Sequence, residues 1–545
     1  MPRTATAHPR PVPVASPSSI ARSRRRDSGS LLGPALLLIV IVCAHVLASP
    51  FTKVEESWTL HAVHDALAHG FGPGLSSWDH VDNPGPVPRS FVGPLWLAAA
   101  SYVPVRLLDA IKSALHIITR DALDRQVVVR MTLAVVNACS LIFFAHRLRL
   151  RWGQPLASRF LVVCACSFHL SFWAGRTVPN MTAFPFTQVA LALSLFPSSR
   201  VTRRRSRVDV LAGVAILTAT AGVLRAELAA LLAPLCLQML ALRGATLLEL
   251  GFTGVAAASL ALALSVPLDS YLWQQWPLWP ELQGLLFNVV EGKSADWGTS
   301  VWHAYFTRFL PRLLHVWLPL VLLAFLTDAR SRQVAMPAIG FLGLLSCLGH
   351  KEWRFAIYAL PLLIVAALQG EERTRPQLRR WCRSHGLPFV SLYQLGLFAT
   401  ILLTVASSTI SHFNYPGGIA MRQLSEHAQH SRDRPLSVHL DAFAAMTGAS
   451  LFTHSPGQRV NKSETLATAD DCAAFDALVT HEPALHRARF RRLSGAVGFA
   501  GIRRGPPPLT HTPLDRLARF LPVHPAFDEQ VTVLIRRSAA APDVG

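Results

Sequence analysis

Apolar runs of about 20 residues recur along this chain, the length a helix needs to cross the hydrocarbon core of a bilayer. They fall at 31–48, 127–145, 156–173, 178–196, 208–224, 228–242, 246–267, 311–326, 334–349, 355–369 and 387–409. Inside a bilayer every backbone N–H and C=O must be paired within the segment, so such runs fold as helices. The chain is therefore expected to be a mainly α, polytopic membrane protein with about eleven transmembrane helices.

Charge supplies the sidedness. Only 15% of the residues are charged, and Lys and Arg outnumber Asp and Glu by 52 to 32, giving +20. The basic residues gather in short loops between apolar runs, at Arg147–Arg151, Arg200–Arg207, Thr327–Arg332 and Glu371–Arg383. The excess of basic residues in cytosolic loops explains that pattern, so the charge implies a lipid bilayer and no nucleic acid. Residues 1–30 are rich in Pro, Ser and Arg and read as a disordered cytosolic tail ending at the first span. One further run, 91–105, upsets the alternation if it crosses. It reads instead as a partial or interfacial segment.

Four polar stretches then share the far side: 49–90, Arg225 with Glu227, the loop 268–310, and His350-Lys-Glu-Trp-Arg-Phe355. Ionisable residues close to the membrane default to functional candidates because burying them is costly. A helix over Glu56–His69, lying along the interface, is expected from the spacing of Leu60, Val63, Ala66 and Leu67. Glu55 and Glu56 at its start read either as a general base or as solvated first-turn carboxylates. Their side chains point about 100° apart, so one of the two serves as base.

His350, Lys351 and Arg354 make a basic cluster at a helix start, suited to a phosphate. The competing reading is an ion-paired anchor, Glu352 with Lys351 or Arg225 with Glu227. Trp273, Trp276, Trp279, Trp297 and Trp302 suit an aromatic interface belt or sugar stacking. Residues 411–545 are polar, with strand-like pieces at Leu436–Leu440 and Gln530–Ile535, and read as a small mixed α/β domain on the lumenal face. The region 31–410 is the membrane-embedded body.

Thr52-Lys-Val-Glu-Glu-Ser57, the stretch His80 to Arg89 and His350-Lys-Glu-Trp-Arg-Phe355 together resemble the dolichyl-phosphate-mannose-dependent mannosyltransferases of glycosyltransferase family 22. Arg176-Thr-Val-Pro-Asn180, Arg225-Ala-Glu-Leu228, Ser294-Ala-Asp-Trp-Gly-Thr-Ser300 and Ser411-His-Phe-Asn-Tyr-Pro-Gly-Gly418 resemble its α-1,6-transferring branch. The pattern runs in order from about residue 31 to 540. Val81, Asp82, Asn83 and Trp353 depart from it.

The resemblance implies a GT-C fold in the endoplasmic reticulum membrane with a lumenal active site. It implies dolichyl phosphate mannose as donor, and a dolichol-diphosphate-linked oligosaccharide carrying seven mannoses as acceptor. It also implies inversion at the transferred sugar and no metal or cofactor. By the same resemblance Glu55, with Glu56 second, is the base. Lys351, Arg354, His350 and Arg225 hold the donor phosphate, while Lys53, His80, Asp82, Arg89, Asp296 and Trp297 contact or shape the acceptor site. An α-1,2-transferring member acting on an N-glycan or glycolipid-anchor precursor is the alternative within the family. A membrane transporter is the alternative outside it.

Overall fold

The computed structural model describes residues 30–115, 123–197, 203–293, 298–428, 435–455, 457–464, 466, 468–505 and 523–537. The expected disordered tail lies outside them, apart from Ser30.

Among the described residues six helices are long and apolar enough to cross a membrane: Leu123–Trp152, Ser206–Val223, Leu247–Trp273, Tyr305–Thr327, Trp353–Ser384 and Leu392–His412. A bent pair, Gln154–Cys166 and Phe168–Gly175, makes a seventh, and Leu32–Ala48 and Ala226–Ala241 are shorter apolar helices.

How each helix is buried separates core from lipid. In α1 (Leu32–Ala48), Ala35, Leu38, Val42 and Val46 form one buried stripe, while Leu32, Leu36, Val40 and Leu47 on the rest of its surface are exposed. A helix apolar all round and covered on one stripe needs lipid on the other. The 27-residue helix Leu247–Trp273 is the extreme case, with Leu248, Phe252, Val255, Leu260 and Leu264 all exposed. Leu360–Ser384 is its opposite, buried continuously from Leu360 to Leu368 at the centre of the bundle.

The bend at Ser167 frees backbone groups, and a neighbouring helix takes them up. The Thr404 hydroxyl donates to the Cys166 carbonyl at 2.6 Å and accepts from the Phe168 N–H at 3.0 Å. A polar side chain from a packed helix is what makes a break tolerable at membrane depth.

The two ends of the bundle differ. One holds paired arginines of the basic loops: Arg147 with Asp209, Arg159 with Glu371, and Arg373 with Asp328. The other holds α2 (Val54–Ala68), close to the expected 56–69 helix, and α3 (Val92–Ala114). The 91–105 run is thus part of a longer helix of 23 residues. Both ends of α3 meet that same end of the bundle. The Phe91 N–H donates to Asp269 near the end of Leu247–Trp273, and Asp109 pairs with Arg125 at the start of Leu123–Trp152.

After the last apolar helix, α4 (Pro416–Ala428) packs on a five-stranded mixed sheet of β1 (Leu436–Leu440), β2 (Gln458–Asn461), β3 (Ala477–Thr480), β4 (Phe490–Arg504) and β5 (Val523–Arg536), ordered β2-β1-β3-β5-β4. β1 runs parallel to β2 and β3, and β5 is antiparallel to β3 and β4. Met421 and Leu424 of α4 cover Val438, Val479, Val531 and Val533. Two close approaches seat this unit. A Cβ on Gly417 would lie 2.0 Å from the Ala444 carbonyl oxygen, and one on Gly418 would lie 2.5 Å from the Phe51 ring.

Candidate active site

Two buried arginines fix the entry to α2. Arg130 donates to the carbonyls of Ser49 (2.6 Å), Phe51 (3.2 Å) and Gly175 (2.9 Å), and Arg176 donates to that of Phe51 (2.9 Å). Glu56 stands at the third helical position and accepts the Lys53 N–H at 2.9 Å, as in a capping box. The same carboxylate pairs with Arg176 and accepts the Thr177 N–H at 3.0 Å, and Glu56 is only 1% exposed. Every face of this carboxylate is engaged, which corrects its expected standing as second base. Glu55 is exposed, and no hydrogen bond or ion pair holds its carboxylate among the described residues. One glutamate is a bolt and its neighbour is free.

Arg176 continues the lock. Its guanidinium lies 4.9 Å from the Tyr415 ring centroid and 5.3 Å from that of Phe172. Tyr415 belongs to Ser411–Gly418, so that stretch packs against the first loop.

Three residues beyond Thr177, Asn180 donates to Glu227 at 3.0 Å and to the Tyr358 hydroxyl at 3.3 Å. Three residues span roughly 10 Å at most, so the α2 entry and the Glu227 region are close neighbours. Here Arg225 pairs with Glu227 at 2.7 Å, Arg354 pairs with Glu352, and His350 Nε2 meets Glu352 at 3.1 Å. Of the two pairs in the ion-paired-anchor reading, Arg225 with Glu227 is present, whereas Glu352 takes Arg354 and not Lys351.

Arg89 joins this group, since Arg225 and Arg354 are close enough to repel it. Desolvation and then those two charges pull it below the usual guanidinium range, although Arg89 itself keeps surface open to water. Burial opposes the Arg225 charge, but Glu227, Tyr358 and Glu281 more than offset it. Arg225 and Arg354 thus each hold a carboxylate partner, and Arg89 of the first loop lies within electrostatic reach of both.

Glu281 completes the cluster, and nothing in the sequence singled it out. It accepts the Ala226 N–H at 2.7 Å. Burial pushes its carboxyl up from 4.5 to about 7 despite the adjacent Arg225. Glu281 thus adds a buried, weakly acidic carboxyl beside the Arg225–Glu227 pair.

The sign of the pH effect follows. Below about pH 4.5 Glu281 is protonated folded or unfolded, and as pH rises through about 7 the folded protein must ionise a buried carboxylate. Its contribution to stability is lost over that window. Glu281→Gln should flatten the fall in apparent Tm across it. A variant curve parallel to the wild type would remove Glu281 as the cause.

Other expected site residues are placed differently. Lys351, 6% exposed, donates to the carbonyls of Leu348 and Ser300, capping a helix end. That corrects its expected role as a phosphate ligand. His350 is engaged at both ring nitrogens, Nδ1 facing the Gly298 carbonyl at 2.9 Å and Nε2 facing Glu352.

His80 is buried, with Nε2 on the Leu272 carbonyl at 2.9 Å and aromatic contacts to Trp58, Trp78, Phe91 and Trp273. It shapes the first loop from within. Asp79 turns to His61 (2.9 Å) and Lys462 (2.6 Å), away from His80. Those two partners outweigh the desolvation that works against the Asp79 charge, and its carboxyl is held well below the usual range. Asp82 and the Lys53 side chain are exposed. Asp296 and Trp297 lie outside the described residues. Trp273 stacks on Trp58 and Trp279 donates to the Gly222 carbonyl, whereas Trp276 and Trp302 are exposed.

The profile of the Alg9-like mannosyltransferase family matches residues 35–454. A Schizosaccharomyces pombe protein named probable Dol-P-Man:Man(7)GlcNAc(2)-PP-Dol alpha-1,6-mannosyltransferase is 31% identical over 464 residues, covering 84% of this chain and 78% of its own. The Saccharomyces cerevisiae protein of that activity is 30% identical over 482 residues, covering 83% and 84%. Among solved structures, ArnT from Cupriavidus metallidurans bound to undecaprenyl phosphate superposes with a TM-score of 0.56. It is 11% identical and covers 97% of this chain and all of that one, which shows a shared GT-C fold.

Proposed function

Because the chain belongs to the Alg9-like mannosyltransferase family, we propose that it transfers mannose from dolichyl phosphate mannose to the 6-hydroxyl of an acceptor mannose on Man7GlcNAc2-diphosphodolichol, yielding the Man8 species. The reaction is a single in-line displacement. Glu55 takes the proton of the acceptor hydroxyl as its oxygen bonds to C1 of the donor mannose. The C1–O bond to phosphate breaks, its electron pair stays on the phosphate oxygen, and the configuration inverts. Arg225, Arg354 and Arg89 stabilise the charge gathering on that phosphate.

The observation that carries this reading is the contrast between the two glutamates, set beside a three-arginine cluster on the same end of the bundle. Glu281 tunes the cluster, and Asn180 ties it to the base.

The protein is a multi-pass membrane protein. The site lies on the lumenal side of the endoplasmic reticulum membrane in this reading. Residues 31–410 form the catalytic body and 411–545 a lumenal unit that closes over the first loop. His80 and Asp82, with Lys53 and the exposed tryptophans Trp276 and Trp302, shape the acceptor groove.

Cells lacking the gene should accumulate dolichol-linked Man7GlcNAc2, and the intact chain should restore the longer species. A stall at any other length would assign a different acceptor. Arg225→Ala and Arg354→Ala should each lower kcat/KM for the donor by about 10- to 100-fold, the range for a hydrogen bond to a charged group. Unchanged donor kinetics in both would return the cluster to a purely anchoring role.

A further inference from the structure

The sequence holds two Asn-x-Ser/Thr motifs, Asn180-Met-Thr182 and Asn461-Lys-Ser463. This is the acceptor pattern for N-linked glycosylation on a lumenal or extracellular surface. The fold separates the two. We propose that Asn461 carries an N-linked oligosaccharide and that Asn180 does not. The proposal rests on the lumenal siding of the 411–545 unit, and a control in its test separates a failure of one from a failure of the other.

Asn180 is closed to such chemistry. It is 4% exposed and stands in the first turn of the apolar helix Pro179–Leu195. Its amide nitrogen donates to Glu227 and to the Tyr358 hydroxyl. A sugar on that nitrogen would displace both partners and bring polar groups into the bundle, where no water solvates them.

Asn461 differs in each respect. It ends β2, which pairs with β1 alone and forms one edge of the sheet. Burial alternates along this strand. Val460 packs against the core under α4 and Gln458 donates to Ser425 of α4, whereas Arg459 and Asn461 are exposed. Successive strand residues face opposite sides, so the alternation carries the Asn461 side chain away from that core. Its amide oxygen accepts the Ser463 N–H at 2.9 Å, while the amide nitrogen, the atom that takes the sugar, has no acceptor among the described residues. Lys462 donates to Asp79 at 2.6 Å, which holds the motif beside the first loop at the active-site end of the bundle. That end is the lumenal one in the proposed function, and the basic loops lie at the other.

The donor is an oligosaccharide carried on a lipid diphosphate, the class of compound that this chain is proposed to elongate. The Asn461 nitrogen bonds to the anomeric carbon of the first sugar. The C1–O bond to the diphosphate breaks, its electron pair leaves on the lipid diphosphate, and the amide proton passes to a base of the oligosaccharyl transferase, a separate enzyme. Once attached, the glycan covers the free edge of β2, which otherwise offers unpaired backbone groups to another chain.

The full-length protein is made in eukaryotic cells, and its membranes are treated with peptide:N-glycosidase. A single step to faster mobility is expected. Asn461→Gln and Ser463→Ala should each run at the deglycosylated position without treatment, whereas Ser463→Thr should keep the step. Asn461→Gln should retain mannosyl transfer, so its lost step does not report misfolding. A second chain, extended after Gly545 by a polar linker with an internal Asn-Gly-Thr, reports the siding and should show two steps. A single step there that Asn461→Gln leaves unchanged overturns the proposal and keeps the lumenal siding. No step in either chain overturns both.

Discussion

Replacing Glu55 with Gln is expected to cut turnover by about 10²- to 10⁴-fold, the usual contribution of a positioned general base, while leaving donor affinity and the folded state intact. The geometry makes this a sharp comparison. Glu55 is exposed and unheld, so the amide costs no native contact. Glu56→Gln, one residue on, does the reverse. It removes the negative charge opposite Arg176 while keeping an acceptor for the Thr177 N–H. That variant should lose stability, yet the molecules that fold should turn over at near the wild-type rate. Single-turnover transfer with purified donor and acceptor, normalised to folded protein, separates the two. If Glu55→Gln retains normal turnover, the proton goes elsewhere, and an intact Glu55→Gln beside an inactive, folded Glu56→Gln would exchange the roles.

The sequence reaches unequally far into this structure. Apolar runs are legible because the bilayer imposes one solution on them, and α2 was readable from its apolar spacing to within two residues at its start. The strand Leu436–Leu440 was readable too, as an apolar stretch in polar surroundings. Partnership is what sequence leaves open. Glu55 and Glu56 are the same residue type one position apart. What divides them is Arg176, 120 residues away in the chain. Lys351 looked like a phosphate ligand because its destination, two backbone carbonyls, has no side-chain signature. Glu281 was passed over for a related reason. A lone glutamate after Pro280 belongs to no motif, and its unusual basicity comes from burial, with Arg225 opposing and Glu227 adding to it from a turn about 55 positions earlier. The arginines were partly visible. Arg89, Arg225 and Arg354 all stood in polar stretches on the same side, but only the fold shows which carboxylates Arg225 and Arg354 take.

The largest stability effect is expected from Arg176→Met. Breaking a buried ion pair by removing one partner leaves the other charge unsolvated and typically costs about 3–5 kcal/mol. Here Glu56 would be left in a site with 1% exposure, held by the Lys53 and Thr177 N–H groups and the Thr177 hydroxyl but without its ion-pair partner. The apparent Tm in detergent should drop by several degrees, and turnover should fall with it, because the free Glu55 sits on the same first turn that the pair holds in register. The double variant Glu56→Gln/Arg176→Met removes both charges and should be more stable than Arg176→Met alone. That order is specific to a charge left stranded, since loss of packing alone would make the double variant the worse one. Arg176 also lies over Tyr415, at the joint between the last apolar helix and α4. The single variant should therefore expose the 411–418 stretch to limited proteolysis before the membrane helices loosen, and uniform resistance there would confine the effect of the pair to the first loop.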